Sequence, residues 1–350
     1  MGKYVLKRLG LGFITLFLIL SVTFILVKLL PFTRPIGGDV QQIAYFEKQH
    51  SLGYVYRFDY YDANHEAQYG EALYKSPANS SGRNTYYYKV PALKQYVNWV
   101  KNIVTKWDWG YSKSFQPNVS ASVIIGSRMW ISLRLRLIAS ILAIPLGILL
   151  GIWAALKKNT ATDHTISVLV MVGISIPSFI LITFLLRIFA FKLGWLPSSW
   201  PPETATFATK FKGYIIPVLS LSFGSICGYC RSVRAELCEV LASEYLLLAR
   251  TKGLTRRQAV VRHALKNAMV PIFPSILAAF IRIFTGNMIL ENLYSIPGLG
   301  RLFLSSITLK DWDLMFVDMA ITTGYSMICA IFLDLSYGWI DPRIRMGAKK

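Results

Sequence analysis

Blocks of apolar residues, each close to the thickness of a lipid bilayer when helical, constrain this chain more than any other feature. A helix needs about 20 apolar residues to cross roughly 30 Å of hydrocarbon. The blocks are Leu9 to Leu30, Ile131 to Leu156, Ile166 to Phe191, Tyr214 to Cys230, Met269 to Leu290 and Leu314 to Leu335. Strands of a β-barrel would alternate polar and apolar residues, and these blocks do not. The sequence therefore predicts an all-α integral membrane protein with about six transmembrane helices.

Charge composition and charge placement agree with a membrane protein. Charged residues make up 16% of the chain, against about 25% in soluble domains. The net charge is +20, and the Lys and Arg residues near the short connections cluster on one side of the predicted membrane. These residues are Lys3, Lys7, Arg8, Lys157, Lys158, Arg231, Arg234, Arg250, Lys252, Arg256, Arg257, Arg262, Lys266, Arg343, Arg345, Lys349 and Lys350. By the positive-inside rule this pattern predicts that both termini are cytoplasmic, and it argues against nucleic-acid binding.

A polar stretch separates the first two apolar blocks. Residues 31–128 are rich in tyrosine and in turn-forming residues, and the predicted topology places them outside the cytoplasm. Apolar residues recur at helical spacing between Ala92 and Trp107, which predicts a helix there. We expect an extracytoplasmic loop or small cap domain, and a docking surface for an external partner is an equally good interpretation.

Several charged residues lie within or near the apolar blocks. Charges in hydrocarbon are costly and usually face the interior of a helix bundle or a watery cavity. Arg282, Asp318 and Asp334 are our candidates for a cavity or an internal ion pair. Arg134 and Arg136 lie close to the start of their block, and we interpret them as side chains that reach back to the interface.

The connection after the fourth block carries signals for a short, well-bounded helix. Ser243 is predicted to cap its start, and Glu244 is a favourable charge in its first turn. Arg250 and Lys252 fall in the last turn, and Gly253 can take the left-handed conformation that ends a helix.

A second helix is predicted directly after this one. Thr255 and Gln258 have the spacing of a capping box. Membrane insertion does not require these two short, charged cytoplasmic helices. A short helix of this kind suits insertion into a groove on another protein.

The same connection resembles the EAA loop of binding-protein-dependent ABC permeases of the dipeptide, oligopeptide and nickel type. The resemblance rests on Tyr245, on Ala249-Arg-Thr-Lys-Gly-Leu254, on Arg262-His-Ala-Leu-Lys-Asn-Ala268 and on Pro271. Further matching stretches are Asp108-Trp-Gly-Tyr-Ser112, Ser175-Ile-Pro-Ser-Phe179, Lys192-Leu-Gly-Trp-Leu-Pro197, Ser295-Ile-Pro-Gly-Leu-Gly-Arg301 and Asp341-Pro-Arg-Ile-Arg345.

This sequence departs from the family pattern in places. Leu247 stands where the general EAA loop has glutamate. The stretch from Ile36 to Tyr88 is longer than usual, and Arg134, Arg136 and Arg282 replace apolar or small residues. These differences bear on the substrate more than on the class of protein.

The resemblance implies a type I ABC importer permease fold in the bacterial cytoplasmic (inner) membrane, with an insertion between helices 1 and 2. The expected divisions are an anchor helix at 1–30, the insertion at 31–128, a permease core at 129–342 with a coupling segment at about 239–266, and a cytoplasmic tail at 343–350. The residues that would couple to ATPases are Glu244, Tyr245, Ala249, Arg250, Lys252, Gly253 and Leu254.

The resemblance also implies a set of partners. These are a second homologous permease, two cytoplasmic ABC ATPases, an extracytoplasmic substrate-binding protein and a peptide substrate. The sequence contains no G-x-x-x-x-G-K-[ST] motif, so ATP and Mg would bind the ATPases and this chain would hold no cofactor, metal or catalytic residue.

Three alternatives remain open on the sequence alone. The same fold could import nickel or another small solute. A stand-alone secondary transporter usually shows internal repeats and broken helices in both halves, and no clear repeat is present. A membrane enzyme would need a nucleophile–base pair or a motif such as H-E-x-x-H or G-x-S-x-G, and the sequence contains neither motif.

Overall fold

A computed structural model of the chain describes residues 2–78, 82–281, 283 and 286–340. The described residues form two compact units, one within 2–129 and 301–327 and one within 130–300 and 328–340. The helices are α1 (Gly2–Leu29), α2 (Asp39–Ser51), α3 (Ala63–Tyr69), α4 (Ala92–Lys106), α5 (Ala121–Leu156), α6 (Ala161–Ser175), α7 (Ser178–Leu185), α8 (Phe207–Leu241), α9 (Glu244–Thr251), α10 (Arg256–Ala259), α11 (Leu265–Met269), α12 (Phe273–Ile281), α13 (Met288–Leu293), α14 (Leu299–Thr308) and α15 (Trp312–Ile340).

Two π-helical segments extend α-helices. Leu186–Lys192 continues α7, and Val260–Ala264 joins α10 to α11. The strands are β1 (Val55–Phe58), β2 (Tyr74–Lys75) and β3 (Tyr86–Lys89), and they pair antiparallel in the order β1-β3-β2.

In the part of the chain that the structure describes, four helices are long and apolar enough to cross a membrane, within α1, α5, α8 and α15. A fifth span is possible if α6 and the segment from Ser178 to Lys192 count as one, although the chain bends by 98° between them. This bend falls at Pro177, which lacks the N–H that would continue the helix. The predicted span from Met269 to Leu290 contains α12 and part of α13, and it includes residues 282, 284 and 285, which lie outside the described residues. The predicted helical membrane protein is confirmed, whereas the count of six spans stays a prediction.

The insertion contains a folded core, which includes a sheet that we did not predict. Phe46 and Tyr74 stack with ring centroids 5.0 Å apart, and Tyr87 stacks on Phe46 at 5.1 Å. Tyr45 and Val55 complete the buried cluster. Helix α4 lies where its apolar periodicity predicts it. Because β1 and β3 are separated by nearly thirty residues, their pairing leaves no local pattern in the sequence.

A buried carboxylate holds the end of the insertion. Asp311 is fully buried, and its Oδ2 accepts hydrogen bonds from the Ser112 hydroxyl at 2.7 Å and from the backbone N–H groups of Lys113, Ser114 and Phe115 at 2.8–3.1 Å. Successive N–H groups that point at one oxygen form an anion-binding nest. The Asp108–Ser112 motif therefore leads into a turn that is built around Asp311.

In the second unit, α5 and α8 pack through glycine. A β-carbon on Gly147 would lie 2.6 Å from Cβ of Tyr229, and one on Gly151 would lie 2.7 Å from Cβ of Val233. The two glycines are four residues apart, the spacing that allows close approach of membrane helices.

Candidate functional site

The predicted coupling segment forms the short helix α9, with tight bounds at both ends. Gly253 follows it with φ +91°, the left-handed conformation that the sequence predicts. The capping box of α10 is confirmed, with Gln258 N–H donating to Thr255 Oγ1 at 3.3 Å and Thr255 N–H donating to Gln258 Oε1 at 3.0 Å. Ser243 occupies the predicted N-cap position, but the predicted side-chain cap is wrong, because the Ser243 hydroxyl donates to the carbonyl of Val240 at 2.6 Å. Val240 lies in the last turn of α8, where carbonyl groups lack helical partners.

One face of α9 is fixed to the membrane helices. Leu246 is 5% exposed and packs in a cluster with Ala155 of α5 and with Leu237 and Cys238 of α8. Leu254 packs against the same cluster. Helix α9 therefore contributes Leu246 to an apolar cluster that also contains side chains of α5 and α8, so a displacement of α9 would disturb that cluster.

The opposite face of α9 is an exposed apolar edge. Tyr245, Leu247 and Leu248 are 42%, 62% and 57% exposed, on a helix far too short to lie across a bilayer. Clustered exposed apolar residues mark a binding surface. Sequence analysis predicted Tyr245 here but missed Leu247 and Leu248, although the replacement of a family glutamate by Leu247 was the available signal.

The structure separates the predicted coupling residues by environment. Glu244, Arg250 and Lys252 are exposed beside the apolar edge, and Arg256, Arg257, Arg262 and Lys266 are exposed on the following helices. Ala249 is half-buried, Leu254 packs inward, and Gly253 has no heavy atom within 4 Å of a β-carbon position. Their role in coupling stays a prediction.

An ion pair links the ends of α6 and α8 on this side of the second unit. The Asp163 carboxylate is fully buried and accepts a hydrogen bond from Arg234 Nη2 at 2.8 Å and from the backbone N–H of Asn159 at 3.0 Å. Arg234 is one turn from Leu237, which contacts α9 through the shared cluster.

A polar cavity of about 460 Å³ lies among α5, α8 and α12. Its lining residues are mostly small and hydroxyl-bearing, namely Arg136, Ala139, Ser140, Leu221, Ser225, Gly228, Tyr229, Ser232, Ser275 and Ala279. Arg136 donates from Nη2 to the carbonyl of Gly286 at 3.2 Å. Our interpretation of Arg136 as a side chain that reaches the interface is therefore wrong, because it points into the bundle. Arg134 is exposed and lines a separate groove with Glu203.

Of the three predicted cavity residues, the structure describes the side chain of one, and that side chain does not line this cavity. Asp318 is buried in α15 and is not among the residues that line this cavity. Arg282 and the side chain of Asp334 lie outside the described residues. Their assignment to a cavity stays a prediction.

The loop after α13 surrounds a buried carboxylate that sequence analysis missed. Glu291 accepts hydrogen bonds from the Ser132 hydroxyl at 2.8 Å and from the backbone N–H of Asn287 at 3.1 Å. A β-carbon on Gly298 would lie 2.7 Å from Cδ of Glu291. Close packing against Glu291 therefore explains Gly298 in the Ser295–Arg301 motif. The sequence signal for the buried carboxylate was an acidic residue directly after an apolar block.

Three comparisons with known proteins agree with this architecture. Residues 147–346 match the family of binding-protein-dependent transport system inner membrane components. The chain is 32% identical over 355 residues to the dipeptide transport system permease protein DppB of Lactococcus lactis subsp. cremoris, covering 99% of this chain and 100% of that protein. It is 29% identical over 346 residues to the oligopeptide transport system permease protein OppB of Haemophilus influenzae, with 99% and 100% covered.

The fold also resembles that of a solved transporter. A structure of the MetNI methionine ABC transporter in inward-facing conformations aligns with a TM-score of 0.50 at 15% identity, covering 63% of this chain and 97% of that chain. This likeness supports the type I permease fold and says nothing of the substrate. Together with the family match over more than half of the sequence, it identifies the chain as a multi-pass inner-membrane protein, the permease subunit of an ABC importer, and a member of the binding-protein-dependent transport system inner membrane components.

Proposed function

We propose that this permease subunit carries oligopeptides or dipeptides into the cytoplasm in an ATP-driven importer. The observation that carries the proposal is the exposed apolar edge of α9 on a helix whose other face is fixed to α5 and α8. Similarity over the full length to peptide permeases supports the peptide as the substrate class.

The absence of a phosphate-binding motif and the exposed apolar edge of α9 together support separate partner subunits. The sequence has no phosphate-binding motif, so ATP and Mg bind two separate cytoplasmic ATPase subunits and this chain is not catalytic. A second homologous permease completes the translocation path, and an extracytoplasmic binding protein delivers the substrate. This chain needs no cofactor of its own.

The charge pattern orients the chain with both termini and α9 in the cytoplasm and the insertion outside. Closure of the ATPases then displaces α9. The displacement reaches α5 and α8 through Leu246 and its cluster, and these two helices flank the polar cavity. Alternating access follows if ATP and substrate differ in affinity for the inward-open and outward-open states.

Nickel or another small solute is the second candidate within this fold. Nickel sites in proteins favour imidazole and thiolate ligands. The chain has four histidines, and among the described residues no group of three His, Cys, Asp or Glu side chains is placed to hold a metal. This supports the peptide over a metal that binds this chain directly.

The test is purification of the tagged chain from its native membrane in mild detergent, followed by reconstitution in proteoliposomes. We expect a second permease and ATPase subunits to co-purify, and we expect ATP-dependent uptake of a labelled tripeptide with the binding protein present. Uptake of Ni²⁺ in preference to the tripeptide would favour the alternative. Uptake by this chain alone without ATP would identify a secondary transporter.

A further inference from the structure

The polar cavity among α5, α8 and α12 has the composition of a site for a peptide in an extended conformation. Its volume of about 460 Å³ falls in the range of roughly 300–1,000 Å³ that is typical of small-molecule sites. Hydroxyl groups line it on three helices, at Ser140 of α5, at Ser225 and Ser232 of α8, and at Ser275 of α12. A hydroxyl can donate to a peptide carbonyl or accept from a peptide N–H, whatever the side chains of the peptide.

Arg136 gives this lining a charge. Among the described residues that line the cavity, it is the one with a charged side chain. It lies near the middle of the 36-residue helix α5, where a charge is costly unless it serves a polar cavity. The hydrogen bond from Nη2 to the Gly286 carbonyl fixes the direction of the guanidinium group. Gly286 is itself held in place, because a β-carbon there would lie 3.0 Å from Cα of Gly300.

A guanidinium group that faces a cavity lined otherwise by neutral side chains can bind a carboxylate ligand through charge-assisted hydrogen bonds. Arginine and carboxylate form paired, charge-assisted hydrogen bonds that are shorter and stronger than neutral ones. Peptides carry a carboxylate at the C-terminus, and some carry a second one on Asp or Glu side chains.

We propose that the cavity is a substrate site in which Arg136 binds a carboxylate of the passing peptide while the serine hydroxyls bind its backbone. The proposal rests on the proposed peptide transport and deepens it. It assigns to this subunit a contribution to substrate recognition, in addition to that of an external binding protein.

The test compares uptake of a tripeptide with a free C-terminus, Ala-Ala-Ala, with uptake of its C-terminal amide by the reconstituted importer. Wild type and Arg136→Gln are assayed with the same binding protein. Its own preference for the acid over the amide therefore cancels when the acid-over-amide preference of the variant is divided by that of the wild type. One lost charge-assisted hydrogen bond corresponds to about tenfold, so we expect the acid-over-amide preference to fall about tenfold in Arg136→Gln. A third substrate, Ala-Asp-Ala amide, separates the two sources of carboxylate, because only binding of side-chain carboxylates would restore its uptake over Ala-Ala-Ala amide in the wild type.

Two further variants make the result decisive. Arg134→Gln lies two residues away in the same helix but lines another groove, and it should leave the preference unchanged. Arg136→Lys keeps the positive charge but loses the paired donors of the guanidinium, so it should retain only part of the preference.

An unchanged acid-over-amide ratio in Arg136→Gln would overturn the proposal while leaving peptide transport intact. Failure of Arg136→Gln to assemble with its partners would overturn it too, since Arg136 would then be required for folding or assembly rather than for substrate binding. Absence of uptake of any peptide by the wild type would overturn both this proposal and the proposed function.

Discussion

The insertion and α9 differ in how much of their apolar surface is buried. In the insertion, Phe46, Tyr74 and Tyr87 stack on one another and are buried. In α9, Leu247 and Leu248 remain more than half exposed although the helix is firmly bounded. The aromatic core of the insertion is therefore closed within this chain, whereas α9 leaves apolar side chains uncovered.

The difference separates folding from assembly. Changes inside the insertion should lower the free energy of unfolding and leave the ATPase interface alone. Changes on the exposed edge of α9 should do the reverse.

The largest effect is expected from Leu247→Asp combined with Leu248→Asp. Two charges on the apolar edge would have to be desolvated on docking, so we expect ATPase co-purification to be lost and uptake to fall by at least about 100-fold. Thermal stability of the purified chain should change little, since exposed substitutions are usually within about 0.5 kcal/mol. Val104→Asp in α4 is the matched control, because Val104 is 78% exposed in the insertion. If Val104→Asp lowers uptake equally, the loss of uptake is not specific to the apolar edge of α9.

Asp311→Ala should produce the largest loss of stability. It leaves the backbone N–H groups of Lys113, Ser114 and Phe115 without their acceptor, and each buried donor left unsatisfied costs about 1–3 kcal/mol. Hydrogen exchange of residues 108–120 in the full chain measures it. Asp311→Asn keeps the shape and one oxygen and should cost less. Exchange that is unchanged in Asp311→Ala would contradict the nest as the support of this turn.

Gly253→Ala should have an intermediate effect on transport. The side chain has room, since no heavy atom lies within 4 Å, but φ +91° is strained for a residue with a β-carbon by about 1–2 kcal/mol. We expect the end of α9 to shift and uptake to fall about tenfold, with normal membrane insertion. Gly82→Ala, at φ +72° with similar room in the insertion, is the control and should leave uptake unchanged. Full activity of Gly253→Ala would weaken the view that α9 must be rigid.

Tyr87→Phe should have the smallest effect, a loss of about 1 kcal/mol from one hydrogen bond, measured as hydrogen exchange of residues 39–106. The Tyr87 hydroxyl donates to Glu47 at 2.6 Å, and burial together with that bond raises the pKa of Tyr87 above its ordinary value. The unfolded chain releases this proton near pH 10 while the folded chain keeps it, so stability falls as pH rises above about 10. The fall should be shallower in Tyr87→Phe. An identical pH profile in both proteins would contradict the assignment.

Local features of the site could be predicted from the sequence, and features that join distant segments could not. Gly253 and the Thr255–Gln258 capping box follow from residues within a few positions of one another, and both are present. The Ser243 cap failed because the end of α8, immediately before it, offered a competing carbonyl.

The cavity and the sheet depend on long-range contacts. Arg136 meets Gly286 across 150 positions, and no local pattern distinguishes it from the neighbouring Arg134. The close packing of α5 on α8 could have been predicted, because Gly147 and Gly151 form a G-x-x-x-G pattern in an apolar block.

The most direct test of the account is site-specific cross-linking from α9 in the assembled importer. The cysteines Cys227, Cys230, Cys238 and Cys329 are all buried, so an introduced Leu248→Cys can be labelled selectively with a photoactivatable cross-linker. We predict a cross-link from this position to an ATP-hydrolysing subunit, with a yield that changes when ATP is added. If the position remains fully accessible to aqueous reagents and forms no cross-link in a transporting complex, α9 is not the coupling helix and the central claim is contradicted.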